Sequence, residues 1–203
     1  MDAPKIARLL EHPAIWRGRS AARLAVLPSG FAALDAELPG GGWPRHGLIE
    51  VLIPRFGGGE LSLLLPALAA LTQGAGARWC VWVSPPLMPF APALAARGVV
   101  LDRVAVVGGE RPLWAFEQVL GSGACEAALA WSRQLRPRDI RRLQLAAARG
   151  RTLGVLFRPR RAARESSPAA LRLSVVPAGE GLEVSLLKGR GARGVVHLGS
   201  LAP

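Results

Sequence analysis

The stretch Pro54-Arg55-Phe56-Gly57-Gly58-Gly59-Glu60-Leu61 stands between an apolar run with strand character and one with helix character. That order is the one in which a nucleotide's phosphates are held. Backbone N–H groups of small residues surround the anion, a Lys reaches the terminal phosphates and a hydroxyl holds magnesium. Set against G-x-x-x-x-G-K-[ST], the first Gly is Pro54, the second is kept as Gly59, the Lys is Glu60 and the hydroxyl is Leu61. Gly57 and Gly58 keep the loop small, but a carboxylate in place of an ammonium reverses the charge beside the phosphates, and Leu61 cannot bind a metal. The loop is degenerate, predicts no ATP hydrolysis and implies no cofactor.

No other residues replace that chemistry. His12, His46 and His197 are isolated, without a Cys, Asp or Glu at ligand or triad spacing, and Ser29 and Ser84 lack a base. No catalytic residue and no metal site is expected. Cys80 and Cys125 stand far apart in apolar segments, which reads as two buried thiols rather than a disulfide. Trp79, Trp82 and Trp131 fall in predicted strands as core, whereas Trp16 and Trp43 adjoin loops where a partner could touch them.

The second feature is charge. The 203 residues carry 26 Lys plus Arg against 14 Asp plus Glu, a formal +12. Residues 1–132 hold 11 basic and 10 acidic side chains, residues 165–203 hold 4 and 3, and residues 133–164 hold 11 Arg against Asp139 alone. One short segment therefore supplies +10, the footprint of a surface that meets polyanions. On a helical wheel Arg138, Arg141, Arg142 and Arg149 share one face, opposite Ile140, Leu143 and Ala147. Arg158, Arg160, Arg161 and Arg164 follow. These eight arginines are the expected contacts to DNA phosphates, non-specific because base-stacking aromatics are scarce nearby. An acidic protein is the competing partner for the same patch.

The elements that must position these residues follow from periodicity. Strands are predicted at 47–53, 79–83, 104–107, 127–131 and 152–157, with helices at 31–38, 61–71, 91–97, 113–120 and 137–149. Pro66 should kink the second helix or mark a restart. This alternation is the signature of a mostly parallel α/β sheet flanked by helices. Strands at 170–176, 182–187 and 195–198 have no helices between them, so the sheet should end antiparallel. A short helix is predicted within 6–15. Half of the residues are hydrophobic, enough for a core and against global disorder. One domain over 21–203, preceded by an N-terminal helical arm at 1–20, is expected. Neither a membrane span nor a secretory signal is read, so a cytoplasmic location is expected.

Three blocks in order, Ser29-Gly30-Phe31-Ala32-Ala33-Leu34-Asp35, Gly40-Gly41-Gly42-Trp43-Pro44 and Gly47-Leu48-Ile49-Glu50-Val51, resemble the segment that enters the nucleotide site of RecA-type recombinases. From Trp16 onward the chain resembles the ImuA family, RecA-like accessory factors of SOS-induced mutagenic translesion synthesis. Further support comes from Arg142-Leu143-Gln144-Leu145-Ala146-Ala147-Ala148 and Ser167-Pro168-Ala169-Ala170-Leu171-Arg172-Leu173. The resemblance implies a single RecA-like domain, a role in the DNA damage response, and ImuB, an error-prone polymerase and RecA as partners. Where RecA-like ATPases carry the water-activating Glu this chain has Ser84-Pro85-Pro86, and where they carry the metal-holding Asp it has Trp131. The polar sensor is replaced by Arg158 or Pro159. The comparison thus implies a pseudo-ATPase. Lys188 and Arg190 match lysines that RecA-type proteins extend to a neighbouring subunit, and mark an interface. The alternative is a cell-division inhibitor of the SulA type, also RecA-like without ATPase residues, which would bind the tubulin-like division protein. The +10 segment is not needed for that role.

Overall fold

The computed structural model describes residues 25–74, 76–189 and 194–199. The arm at 1–20, the helix within 6–15, Trp16, His12 and Arg190 lie outside the described residues. At the centre runs β3, Gly47–Ile53, whose seven residues are all buried. A strand covered on both faces reads as a continuous apolar run rather than an alternation, and the only charge in it is Glu50. With β4 (Trp79–Val83), β5 (Val104–Val107), β6 (Cys125–Trp131), β7 (Leu153–Pro159), β8 (Leu171–Ala178), β9 (Gly181–Lys188) and β10 (Val195–Leu198) it forms an eight-stranded sheet in the order β10-β9-β8-β3-β7-β6-β4-β5. The pairs from β8 through β3, β7, β6 and β4 to β5 are parallel. The pairs β8–β9 and β9–β10 are antiparallel. The protein is therefore a mixed α/β fold, mostly parallel and closing with antiparallel C-terminal strands. A separate two-stranded sheet, β1 (Val26–Leu27) with β2 (Trp43–Pro44), was not anticipated.

Side chains of successive strand residues point to opposite faces. Ile49, Val51, Trp82, Leu129 and Phe157 therefore meet α1 (Ala32–Glu37) and α2 (Leu65–Gln73) on one side. Leu48, Val81, Ala128 and Leu156 meet α4 (Pro112–Gly121) and α5 (Pro137–Gly150) on the other. Helix α3 (Ala91–Ala96) buries Leu94 on the first side. Pro66 marks a restart: a 3-10 turn at Glu60–Leu63 ends, and α2 begins with Pro66 in its first turn, where a missing N–H costs nothing. Helix α5 starts with Pro137, and Asp139 Oδ2 accepts from the Arg136 N–H at 3.2 Å. At its far end Gly150 lies so close to α4 that a Cβ there would fall 2.0 Å from the Leu120 carbonyl oxygen, so any side chain would push the two helices apart.

Two tryptophan expectations are corrected. Trp43 is fully buried in the core rather than facing a partner, and Trp79, first residue of β4, is exposed rather than core. Trp82 is buried as expected, and Cys80 and Cys125 are free, buried thiols. No helix among the described residues is long and apolar enough to cross a membrane.

Candidate functional site

The loop after β3 and the ends of β4 and β6 meet at the carboxyl edge of the parallel strands, the edge at which open α/β sheets hold ligands. Gly57 and Gly59 adopt left-handed backbone conformations, φ 78° and 90°, which curl the loop back on itself. The carboxylate of Glu60 is thereby turned inward and buried. Its Oε1 accepts from the Gly57 N–H at 2.9 Å and from the Trp131 indole Nε1–H at 3.0 Å. Trp131 is held in turn by stacking on Phe157, with ring centroids 4.9 Å apart. The loop's donor is thus satisfied by the protein's own anion, which Trp131 anchors. Glu60 Oε2 is buried without a hydrogen-bond partner among the described residues. Leu61 packs against the core, Pro54 is exposed, Gly58 is partly buried, and Arg133 lies over the Phe56 ring at 5.3 Å.

Beside this loop a cavity of about 210 Å³ is walled by Gly57, Gly59, Glu60, Trp131 and the segment 85–90. That segment follows β4 and carries Leu87, Met88 and Phe90, which are 67%, 78% and 71% exposed. Three large apolar side chains in four residues, contiguous with a cavity, form a patch of the kind that marks an interaction site.

The arginines divide into three groups. On α5, Arg138, Arg141, Arg142 and Arg149 face outward while Ile140, Leu143 and Ala147 are buried. Arg142 is paired with Glu117 of α4, and Arg138 lies 3.9 Å from Asp139. Arg160, Arg161 and Arg164 are exposed on a 3-10 turn, Arg160–Arg164, where Arg161 Nη2 donates to the Arg133 carbonyl at 3.3 Å.

Arg158 does not belong with them. Its side chain is 1% exposed and forms ion pairs with Glu50 at 2.9 Å and Glu165 at 2.7 Å, so it cannot reach DNA. Burial alone would lower its pKa, but hydrogen bonds and Coulombic attraction from both carboxylates outweigh this and raise it. Arg172 completes the network: its Nε is 2.8 Å from Glu50 Oε2, and its two terminal nitrogens donate to the carbonyls of Glu165 and Ala162. Sequence reasoning missed this cluster, although one charge inside an otherwise apolar central strand is its signal: a buried carboxylate needs a buried cation. Lys188 donates to the Ser167 carbonyl at 2.6 Å. His46 and His197 stand apart, and no cluster of His, Cys, Asp and Glu able to hold a metal occurs among the described residues.

No family model matches the chain. It is similar to the cell division inhibitor SulA of Photorhabdus laumondii, 34% identical over 113 residues, covering 54% of this chain and 63% of that protein. It is also similar to the cell division inhibitor SulA of Edwardsiella piscicida, 38% identical over 104 residues, covering 49% of this chain and 60% of that protein. The chain thus spans under two thirds of the length of these curated relatives. Among solved structures it resembles SulA from Pseudomonas aeruginosa, with a TM-score of 0.46 and 23% identity over 55% of this chain and 97% of that one. The two curated relatives correct the expectation of an ImuA-type factor of translesion synthesis, and the partners it implied, ImuB, an error-prone polymerase and RecA, fall with it; DNA, expected from the arginine-rich segment, is not supported by these relatives either. Two of the eight arginines are also already engaged within the fold: Arg158 is buried against Glu50 and Glu165, and Arg142 is paired with Glu117.

Proposed function

We propose that this chain is a cell-division inhibitor of the SulA kind, a cytoplasmic protein that acts by binding the tubulin-like division protein and not by catalysis. The observation that carries the reading is the similarity to two curated division inhibitors at 34% and 38% identity. The placement of β3 between β7 and β8, with the glycine loop at its carboxyl end, fits a RecA-like domain in which the nucleotide site has been given up. The geometry of Glu60 supports that reading: a carboxylate already occupies the loop's donor, so a phosphate entering there would meet a like charge. An inhibitor that works by occupancy needs a surface to dock with, and Leu87, Met88 and Phe90 supply one beside that loop.

The reading is tested by measuring binding of the purified division protein to the immobilised chain and to the triple variant L87S/M88S/F90S. All three side chains are exposed, so the fold tolerates the change. The expected outcome is a loss of affinity of at least about tenfold, some 1.4 kcal/mol. Undiminished binding of the variant, or no binding of the parent chain, overturns the proposal.

A further inference from the structure

The outward face of α5 contains a residue that a solvated helix face does not need. Arg138, Arg141, Arg142 and Arg149 lie at helical spacings on that face, and at its centre stands Leu145, 60% exposed. Next to this ridge, between the start of α4 and the first turns of α5, is a cavity of about 380 Å³ whose lining includes Arg111, Trp114, Glu117, Asp139 and Arg142. Trp114 is 51% exposed, and the Arg111 guanidinium lies 5.1 Å from its ring centre. Tryptophan and arginine are both among the residues enriched where binding energy concentrates, and here the two stack on each other in the lining of a cavity.

Charge selects the partner. Glu117 is engaged by Arg142, and Asp139 is shared between the Arg136 N–H and Arg138. No ion pair to a carboxylate engages Arg141 or Arg149 among the described residues. The face is therefore electropositive and fits an acidic partner. A second copy of the chain is disfavoured, because a two-fold contact would set Arg141 and Arg149 against their own counterparts. Nucleic acid fits less well than protein: the exposed Leu145 and half-exposed Trp114 give the face an apolar centre inside a charged rim, which is the anatomy of a protein interface and offers a phosphate backbone nothing.

We propose that the α4–α5 face is a second protein-binding surface, taking an acidic segment whose carboxylates lie along Arg138, Arg141 and Arg149 while one apolar side chain enters the cavity beside Trp114. The cavity of this surface shares no lining residue with the cavity beside the apolar loop after β4, and the proposal does not depend on the identity of the partner that docks there.

The test uses the full chain and a fluorescent dodecapeptide of Asp and Glu with one central Leu, read by anisotropy at low salt, alongside the same peptide with Ser for Leu and a single-stranded oligonucleotide of equal length. The Leu peptide is expected to bind about fivefold more tightly than the Ser peptide. R138E/R141E should weaken both peptides by at least about tenfold. W114S should abolish the difference between them while leaving the Ser peptide bound as before. Failure of the Leu peptide to bind, binding indifferent to R138E/R141E, or a Leu preference that survives W114S overturns the proposal. So does an oligonucleotide that binds as tightly as the Leu peptide with the same dependence on R138E/R141E, which would assign the ridge to nucleic acid.

Discussion

Replacing Glu50 by Gln removes one charge from the centre of the sheet and should cost more stability than any exposed substitution in the chain. Glu50 is fully buried and is shared between Arg158 at 2.9 Å and Arg172 at 2.8 Å, both almost wholly buried. Counting charges, Glu50 and Glu165 balance Arg158 and Arg172. Without Glu50 the interior carries one uncompensated cation, since Arg172 otherwise meets only the carbonyls of Glu165 and Ala162. Breaking a buried ion pair from one side costs about 3–5 kcal/mol, against a total of about 5–15 kcal/mol for a domain. With a urea slope of about 2 kcal/mol/M, the unfolding midpoint should fall by about 1.5–2.5 M. Glu165 is half-exposed, so E165Q should cost about 1 kcal/mol or less, the range for a pair open to solvent. The triple change E50L/R158M/R172M removes the charges together and should recover most of the loss, because apolar groups of similar volume replace buried ion pairs at little cost. Urea titration followed by circular dichroism reads all three. A loss below about 1 kcal/mol for E50Q, or a triple variant less stable than E50Q, refutes the reasoning.

Three further outcomes follow from the glycine loop and from the buried Cys80. Glu60→Ala orphans the Trp131 indole N–H and the Gly57 N–H and should destabilise by about 1–3 kcal/mol, with a shift in the Trp131 indole NMR signal. The parent chain should release no phosphate from ATP in a malachite-green assay, and turnover that a Glu60 change abolishes would contradict the loop's assignment. Burial pushes the Cys80 thiol up from 9.0 to about 12. The unfolded chain therefore loses this proton first, and stability should fall by about 1.4 kcal/mol per pH unit as pH rises from 9 towards 12. Cys80→Ala should flatten that part of the stability profile; an unchanged slope excludes Cys80 as its source.

Elements were legible where local pattern and tertiary environment agree. The central strand, β4, β5 and β10 fall where apolar runs bounded by Gly, Pro and Ser put them, and α5 shows the face expected from its wheel. The two-residue strands β1 and β2 are too short to carry a period. Side-chain roles were less legible, because they depend on residues distant in the chain. Arg158 sits two residues from Arg160 and shares its chemistry, yet it is the last inward-facing residue of a buried strand and meets Glu50, 108 positions away. Glu60 was read as a reversed charge; that Trp131, 71 positions away, is its partner needed the sheet order. Trp79 reads as core by type, but the first residue of β4 faces solvent. The motif blocks around the glycine loop do not separate an ImuA-type reading from a SulA-type one, and the charge excess pointed to DNA because sequence alone cannot show which arginines are paired internally.

The central claim, inhibition of division by occupancy, is tested most directly by sedimenting polymers of the purified tubulin-like division protein with GTP across a range of molar ratios of this chain. A fall in pelleted polymer that reaches its limit near one chain per subunit, and that L87S/M88S/F90S blunts, is the predicted result. Pelleted polymer that stays constant at every ratio would contradict it.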